Sequence, residues 1–129
     1  MSEERYAIDA SALLALILGE RLTVSSDAFK GGILSTVNLA EVMTKMIGLG
    51  ASAEEAMADI EALGFALSIV DFDRDAAHRT AALREVTRPF GLSLGDRACL
   101  AAAQSAGVPV LTADRQWTKL ADFAITLVR

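Results

Sequence analysis

The sequence predicts an α/β domain with a central, mostly parallel β-sheet of four to five strands and helices on both faces. Short apolar segments alternate with longer segments of helical periodicity along the chain, a pattern typical of parallel strands joined by helices. The apolar segments show no polar–apolar alternation, as expected for strands buried on both faces. The 129 residues suit one domain, residues 1–129.

Strands are predicted where short apolar segments stand between turn-forming or polar residues. Asp9 ends the first of these segments, Asp71 follows the third, and Pro109 is tolerated near the start of the fourth. The predicted strands are residues 6–8, 33–34, 66–70, 108–111 and 124–128.

Helices are predicted from apolar spacing, capping residues and glycine stops. Gly19 ends the first helix, and a glycine pair at residues 31–32 follows the second. Ser52, with Glu55 three residues later, forms the pattern of a capping box, and Asp73 is a capping residue for the next helix. The predicted helices are residues 11–18, 21–29, 36–47, 52–63, 74–86 and 94–107.

Composition narrows the functional classes. No run reaches the roughly 18 uncharged apolar residues that a membrane span needs, and the apolar run at residues 10–19 follows an acidic N-terminus, unlike a signal peptide. A soluble cytoplasmic protein is therefore expected. A single cysteine excludes an internal disulfide and a cysteine-based zinc site. The net charge of −5 argues against general electrostatic binding of nucleic acid, but a nuclease that recruits a cation is compatible with it.

Four carboxylates occupy positions where such a fold can bring them together. Asp9 follows the first strand and Asp114 follows a later strand, whereas Asp96 lies in the first turn of a helix and Glu41 lies within one. If the two strands are neighbours, their acids share the crevice at the carboxyl ends of the sheet. Each acid also has an ordinary interpretation, as a strand end, a turn, a helix N-terminus or solvated surface. The spacing alone leaves both interpretations open.

Clustered carboxylates are chemically informative because they repel. Two unit charges about 4 Å apart repel by about 4 kcal/mol at an effective dielectric constant near 20. A divalent cation removes this conflict, and oxygen ligands suit Mg²⁺ or Mn²⁺. Softer ligands are limited to His78 and Cys99. Ions held in this way can hydrolyse a phosphodiester without a catalytic histidine.

Four sequence segments carry a family resemblance. They read YAIDASA at residues 6–12, STVNLAEV at 35–42, LSLGDRACLA at 92–101 and VLTADR at 110–115. In this order they resemble the motifs of the PIN-domain ribonucleases, and among them the VapC-type toxins of bacterial toxin–antitoxin pairs. The segments span nearly the whole chain, whereas the region from about residue 48 to residue 88 carries no matching motif.

The resemblance implies a PIN-like three-layer fold and Mg²⁺- or Mn²⁺-dependent endonucleolytic cleavage of RNA. It also implies a homodimer and a cognate VapB-type antitoxin that blocks the acidic pocket. Ser11 and Thr112 match hydroxyl positions that support the metal ligands. The implied metal-binding and catalytic acids are Asp9, Glu41, Asp96 and Asp114.

The arginines have two interpretations each. Arg97 and Arg115 directly follow two of the acids, so they can contact phosphate or pair with nearby carboxylates, and the sequence leaves this choice open. Four further arginines lie in the segment without a motif, where a role in substrate or antitoxin choice competes with the favoured interpretation as a solvated helix face. They are Arg74, Arg79, Arg84 and Arg88.

Three other residues have plain structural interpretations. His78 has no second histidine or nucleophile motif to support a hydrolase triad, so a surface position is expected. Cys99 stands among small apolar residues and is expected to be buried. Trp117 could stack on a base, but packing near the C-terminus is favoured.

Three other functions compete with the nuclease. A phosphorylation-controlled receiver-like module would use Asp71 as phosphate acceptor and Thr112 as switch hydroxyl, but paired acids after the first strand and a lysine after the last are lacking. A phosphotransferase with an Asp-x-Asp motif fails because position 11 is Ser11. A catalytically inactive nucleic-acid-binding PIN domain is the third alternative, against which the four intact acids argue.

Overall fold

The computed structural model describes residues 4–129 and contains a five-stranded sheet in which every neighbouring pair is parallel. The strand order is β3-β2-β1-β4-β5, so β1 is central. All five predicted strands are present, which confirms the predicted fold class. Their bounds are Ala7–Ile8 for β1, Ile33–Ser35 for β2, Ser68–Val70 for β3, Val110–Thr112 for β4 and Ile125–Leu127 for β5.

Within the described residues, six α-helices connect and cover the strands. Ser52 and Glu55 form the predicted capping box, and the Asp73 carboxylate accepts a hydrogen bond from the backbone N–H of Ala76 at 2.9 Å. Among residues 4–129, every helix falls short of the length and hydrophobicity that crossing a bilayer requires. The helices are α1 (Ala10–Ile17), α2 (Thr36–Gly48), α3 (Ala53–Glu61), α4 (Arg74–Ala82), α5 (Arg84–Thr87) and α6 (Leu94–Ala106).

One predicted helix is wrong. Residues 21–29 contain only a short 3-10 helix, Ser26–Phe29. The backbone N–H of Thr23 donates to the carbonyl of Val128 at 2.7 Å, and its hydroxyl donates to the carbonyl of Leu127 at 3.2 Å. This segment is therefore hydrogen-bonded to the chain around β5, a long-range contact that competes with helix formation and leaves no local pattern in the sequence.

The sheet has a separate hydrophobic core on each face. Ile8, Leu34 and Leu111 belong to the core formed with α1, α2 and α3. Ala7 and Val110, their neighbours along the strands, belong to the core formed with α6. Successive side chains of a strand point to opposite faces, so the uninterrupted apolar strands of the sequence supply both cores. The result is the predicted three-layer arrangement.

The strand order places the first and fourth strands side by side. Ile8 of β1 pairs with Leu111 of β4, and the backbone N–H of Asp9 donates to the carbonyl of Leu111 at 3.1 Å. From β1 the chain builds outward to β2 and β3 on one side, then crosses to β4 and β5 on the other. The carboxyl ends of β1 and β4 therefore form the topological switch point, where ligands bind in such sheets.

The same topology excludes the receiver-like arrangement. Asp71 follows β3 at one edge of the sheet, whereas Thr112 ends β4. Two strands, β2 and β1, lie between them. Three strand spacings of about 4.8 Å each separate the two positions by about 14 Å. Asp71 and Thr112 therefore do not form one phosphoryl-transfer site.

The stability of the sheet is expected to depend on its core side chains. Leu34 is 0% exposed, so Leu34→Ala removes buried methyl groups, leaves a cavity and should lower the free energy of unfolding by about 2–5 kcal/mol. Urea denaturation measures this change. Leu49→Ala is the matched control, because Leu49 is 63% exposed and its truncation should change stability little. Equal losses in the two variants would contradict the described core.

Candidate active site

Asp9 lies at the centre of the switch point and is almost fully buried, at 4% exposure. It is the N-cap of α1, and its Oδ1 accepts a hydrogen bond from the backbone N–H of Ala12 at 2.9 Å. The hydroxyl of Ser11 donates to the carboxylate, with its oxygen 2.8 and 2.9 Å from the two carboxylate oxygens. The hydroxyl of Thr112 donates to Oδ2 at 2.8 Å. Asp9 therefore joins the ends of β1 and β4.

Ser11 and Thr112 act on both strands because a hydroxyl both donates and accepts. While donating to Asp9, the Ser11 hydroxyl accepts from the backbone N–H of Ala113 at 3.0 Å. The Thr112 hydroxyl likewise accepts from the backbone N–H of Asp114 at 3.0 Å. These bonds connect the Asp9 carboxylate to the backbone that carries Asp114, and an alanine at either position would remove both functions.

The pKa of Asp9 is raised from its usual 3.8 to about 6. Burial is the largest cause, because it penalises the charged carboxylate. Hydrogen bonds from Ala12, Ser11 and Thr112 lower the pKa, and the negative charge of Asp96 raises it. The hydrogen bonds therefore only partly offset the cost of burying this charge.

Asp96 caps the helix that carries it. Its Oδ2 accepts a hydrogen bond from the backbone N–H of Ser93 at 2.9 Å, and the Ser93 hydroxyl accepts from the backbone N–H of Asp96 at 3.1 Å. The ordinary helix-capping role considered from the sequence is thus present. Among residues 4–129, its Oδ1 has no protein donor, so one carboxylate oxygen remains available to another ligand.

Glu41 reaches from α2 to the first turn of α6. Its Oε1 accepts a hydrogen bond from Nδ2 of Asn38 at 2.8 Å, and the same Nδ2 donates to the carbonyl of Gly95 at 3.0 Å. The Glu41 carboxylate lies against Gly95 so closely that a Cβ there would stand 2.4 Å from Oε1. Glu41 therefore ends beside the residue that precedes Asp96.

The buried thiol of Cys99 is influenced by the negative charge of three of the four acids. This buried cysteine of α6 has its pKa raised well above the usual value, mainly by burial and then by the charges of Asp9, Asp96 and Glu41. The thiol is therefore protonated and serves as a small apolar side chain, as the sequence indicated. The carboxylates come from a strand end and two helices and act on one point in the fold.

Asp114 is connected less directly. It is exposed and caps the 3-10 helix Arg115–Lys119, its Oδ1 accepting a hydrogen bond from the backbone N–H of Gln116 at 2.9 Å. Its link to Asp9 runs through the Thr112 hydroxyl. Asp9, Glu41 and Asp96 thus all act electrostatically on Cys99, whereas Asp114 is exposed and is linked to Asp9 through a hydroxyl.

In the part of the chain that the structure describes, the four acids have no cationic side-chain partner. Within residues 4–129, neither lysine nor arginine forms an ion pair with any of the four acids. In the same part of the chain, no three acidic, histidine or cysteine side chains stand close enough to form a complete metal site. The available donors are carboxylate oxygens, the ligand type that hard divalent ions prefer.

Arg97 and Arg115 have different environments. The Arg97 guanidinium donates to the carbonyl of Thr80 on α4 at 3.0 Å, and its Nε is buried without a partner in the described chain. Arg97 therefore packs between α4 and α6. The sequence had suggested a phosphate contact or a pair with a carboxylate, and this packing is neither. Arg115 is exposed next to Asp114, which makes it the better candidate for a phosphate contact.

The remaining singled-out residues follow their structural interpretations. Trp117 is 1% exposed, so it is part of the core and not a stacking platform for a base. His78 is exposed on α4. Arg79 pairs with Asp75 on the surface, and Arg88 pairs with Glu85. Two of the four arginines in the segment without a motif, Arg79 and Arg88, therefore form exposed ion pairs with residues nearby in the sequence, as expected on a solvated helix face.

Two residues at the site escaped sequence reasoning. Asn38 is almost fully buried, at 1% exposure, and binds Glu41, and Gly95 provides the space for the Glu41 carboxylate. The sequence offered two clues: an asparagine three residues before the glutamate on the buried face of its helix, and a glycine in the first turn of a helix, where glycine is unfavourable. Neither clue indicates which residue the other one contacts, because Asn38 and Gly95 are 57 positions apart.

Comparison with known proteins identifies the family. The sequence model of the PIN domain matches residues 6–123, and the chain therefore belongs to the PIN domain family. Among curated proteins, none matches the sequence.

Solved structures share the fold at low sequence identity. VapBC-5 of Mycobacterium tuberculosis, a toxin–antitoxin system, has a chain that is 22% identical with a TM-score of 0.65, covering 98% of this chain and 99% of that one. A toxin–antitoxin complex from Klebsiella pneumoniae has 20% identity, a TM-score of 0.67 and 96% coverage of both chains. VapC20 of M. tuberculosis, described as a sarcin–ricin loop cleaving toxin, has 14% identity and a TM-score of 0.69, with 94% and 97% coverage. At these identities the similarity establishes the shared fold.

Asp9→Asn should stabilise the metal-free protein at neutral pH. Between the usual pKa of 3.8 and the raised value of about 6, the folded state retains a proton that the unfolded state releases, so stability falls as the pH rises through this window. Removing the charge should recover about 3 kcal/mol or less at pH 7. Urea denaturation in EDTA at several pH values between 4 and 7 measures the effect.

Asp59→Asn is the control for this measurement, because Asp59 is an exposed residue of α3 and its variant should keep the pH dependence of the parent chain. The interpretation of Asp9 fails if Asp9→Asn and the parent chain lose stability equally between pH 4 and pH 6.

Proposed function

We propose that this chain is a metal-dependent endoribonuclease and the toxin of a toxin–antitoxin pair. The observation that carries this proposal is the uncompensated negative charge at the switch point. Asp9, Glu41 and Asp96 act on one buried thiol, Cys99, and Asp114 is joined to Asp9 through a hydroxyl. Among residues 4–129, no basic side chain pairs with these acids.

The donor set fits Mg²⁺ or Mn²⁺. All four candidate ligands supply carboxylate oxygens, which hard divalent ions prefer, and Cys99 is excluded because its thiol is buried and protonated. Within the described chain, Asp96 and Asp114 each use one oxygen to cap a helix and keep the other without a protein donor. We assign the metal to Asp9, Asp96 and Asp114, with Glu41 as a further ligand, direct or through water.

A bound divalent ion supplies positive charge that stabilises the phosphodiester transition state and makes water a stronger nucleophile. The chain's own residues prepare the site. Ser11 and Thr112 hold both oxygens of Asp9 and prevent its rotation, since each hydroxyl is itself anchored by a backbone N–H of the 113–114 segment. Burial lowers the local dielectric around Asp9, so its attraction for a cation is strong. Arg115, exposed beside Asp114, is assigned to contact the RNA phosphate.

The biological assignment extends the family membership. The PIN domain match supports a nuclease. Two of the similar solved structures are toxin–antitoxin complexes or systems, and the third, VapC20, is described as a sarcin–ricin loop cleaving toxin. We therefore assign RNA as the substrate, a VapB-type antitoxin as the partner, a homodimer as the assembly and the cytoplasm as the location. Exposed apolar residues on and just after α2, Ile47 and Leu49, offer surface for such a protein partner.

Cleavage of RNA by the purified chain tests the proposal. Incubation of total cellular RNA with Mg²⁺ or Mn²⁺ should produce discrete fragments, and EDTA should prevent them. Asp9→Asn and Asp96→Asn should each lower the cleavage rate by about 100-fold or more, because loss of one ligand charge weakens both metal binding and its orientation. Fragment patterns on sequencing gels give the rates.

Asp71→Asn is the matched control for these variants, since Asp71 is an exposed acid after the edge strand β3. Its cleavage should equal that of the parent chain. Cleavage that persists in EDTA, or in pure Asp9→Asn and Asp96→Asn proteins, would refute the metal mechanism. Metal binding without cleavage of any RNA would favour an inactive nucleic-acid-binding PIN domain.

Mn²⁺ should stabilise the folded chain. An ion that binds only the native state raises the unfolding free energy by RT ln(1 + [ion]/Kd), about 2.7 kcal/mol at 100 times Kd. Differential scanning calorimetry with millimolar Mn²⁺ should therefore show a rise in Tm of several degrees for a domain of this size. The rise should be smaller in Asp9→Asn, measured against its own metal-free Tm. An unchanged Tm in the parent chain counts against any resident divalent ion.

A further inference from the structure

We propose that Asn38 and Gly95 are positioning residues that fix the Glu41 carboxylate at the first turn of α6 and thereby set the site's affinity for a divalent ion. The effect on affinity rests on the proposed function, whereas the positioning itself rests on contacts between α2 and α6. Neither residue is a candidate ligand. Each acts through Glu41, one by a hydrogen bond and the other by the absence of a side chain.

The Asn38 side chain is oriented by two acceptors. Its amide nitrogen lies 2.8 Å from Oε1 of Glu41 and 3.0 Å from the carbonyl oxygen of Gly95. Both partners accept hydrogen bonds, so only the NH₂ end of the amide can face them. One group thus donates simultaneously to the glutamate and to the backbone of α6, tying the carboxylate to that helix. Asn38 is buried, which restricts its freedom to turn away.

The Asn38 carbonyl indicates that this orientation is maintained at a cost. Its Oδ1 is buried and has no hydrogen-bond partner in the described chain. An unsatisfied buried acceptor is unfavourable, and an apolar side chain of similar size would avoid that penalty. The hydrogen bonds to Glu41 and Gly95 account for an asparagine at this position, whereas core packing alone does not.

Gly95 contributes space. A Cβ built on it would lie 2.4 Å from Oε1, 2.5 Å from Oε2 and 2.5 Å from the carboxyl carbon of Glu41. Any side chain at position 95 would therefore displace the carboxylate. Glycine disfavours helix formation, and here it occupies the first turn of α6, directly before Asp96. The close approach of Glu41 explains this choice and brings two acids of the site to adjacent positions.

Gly95→Ala is the deciding variant. The atoms that the new methyl group would meet first are the end of the flexible Glu41 side chain, and Glu41 is exposed, so the carboxylate can swing into solvent without disturbing the core. Thermal unfolding of the metal-free variant should be unchanged or slightly improved, because alanine favours the helix. Its Mn²⁺ affinity, measured by isothermal titration calorimetry, should fall about 10-fold or more.

Gly48→Ala is the matched control. Gly48 also lies in a helix, the last turn of α2, and a Cβ there meets no atom within 4 Å. This variant should bind Mn²⁺ like the parent chain. Asn38→Ala is less decisive because Asn38 is buried and its replacement can destabilise the fold, so stability and affinity would change together.

A second readout needs no metal. Asn38 is the only asparagine of the chain, so its side-chain amide signals are readily assigned in a ¹⁵N-correlated NMR spectrum. Glu41→Ala removes one acceptor and should shift these signals, and Gly95→Ala should shift them in the same direction, whereas Gly48→Ala should leave them in place.

The outcomes separate the two proposals. Parent-like Mn²⁺ affinity and unmoved Asn38 signals in Gly95→Ala would overturn the positioning role. Failure of the parent chain to bind Mn²⁺ would overturn the proposed function and the effect on affinity together. The NMR comparison would then still decide whether Asn38 and Gly95 position Glu41.

Discussion

The hydrogen bonds around the buried Asp9 carboxylate are the interaction on which the site depends. The two hydroxyls, Ser11 and Thr112, donate to Asp9 and accept from the backbone that follows β4. This arrangement joins the ends of the two central strands through a charged group. These hydrogen bonds only partly offset the cost of burying the Asp9 charge, because burial still raises the pKa of Asp9 to about 6. The ends of β1 and β4 are thus linked by the Asp9 carboxylate, whose charge is not fully neutralised.

The layered core makes this arrangement possible. Because both faces of the sheet are packed, the central strands β1, β2 and β4 are rich in apolar residues, and the polar residues Ser35 and Thr112 stand at the carboxyl ends of β2 and β4. The parallel order brings all carboxyl ends to one edge, and the strand order reverses there beside β1, which is where ligands bind in sheets of this kind. The helices α2 and α6 meet at that edge, so acids from three separate parts of the chain reach it.

Within residues 4–129, the four candidate acids form no ion pair with a lysine or arginine. Some acids on the rest of the surface do pair with nearby bases, as Asp27 does with Lys30 and Asp75 with Arg79. At the switch point, backbone N–H groups at helix N-termini and side-chain hydroxyls donate hydrogen bonds to the carboxylates, but these neutral donors do not neutralise the negative charge. Hydrogen-bond satisfaction keeps the fold stable, and residual charge creates the affinity for a cation that the proposed function requires.

Features that depend on local chemistry were predictable from the sequence. These are the apolar strands, the caps at Ser52 and Asp73, the interiors of the long helices and the acid-bearing motifs, since a cap or a helical period is set by residues within a few positions of one another. The sequence also indicated that Asp9 and Asp114 meet at one edge of the sheet if their strands are neighbours, and β1 does pair with β4.

Contacts between distant segments were not predictable from the sequence, because they depend on how the elements pack. Residues 21–25 are non-helical because Thr23 bonds to the chain near β5, and Arg97 binds Thr80 instead of an acid or an open surface. The close approach of Glu41 to Gly95, and the exposed position of Asp114, likewise depend on how α2, α6 and β4 pack. Such contacts follow from the positions of whole elements in space, for which a single sequence contains no local signal.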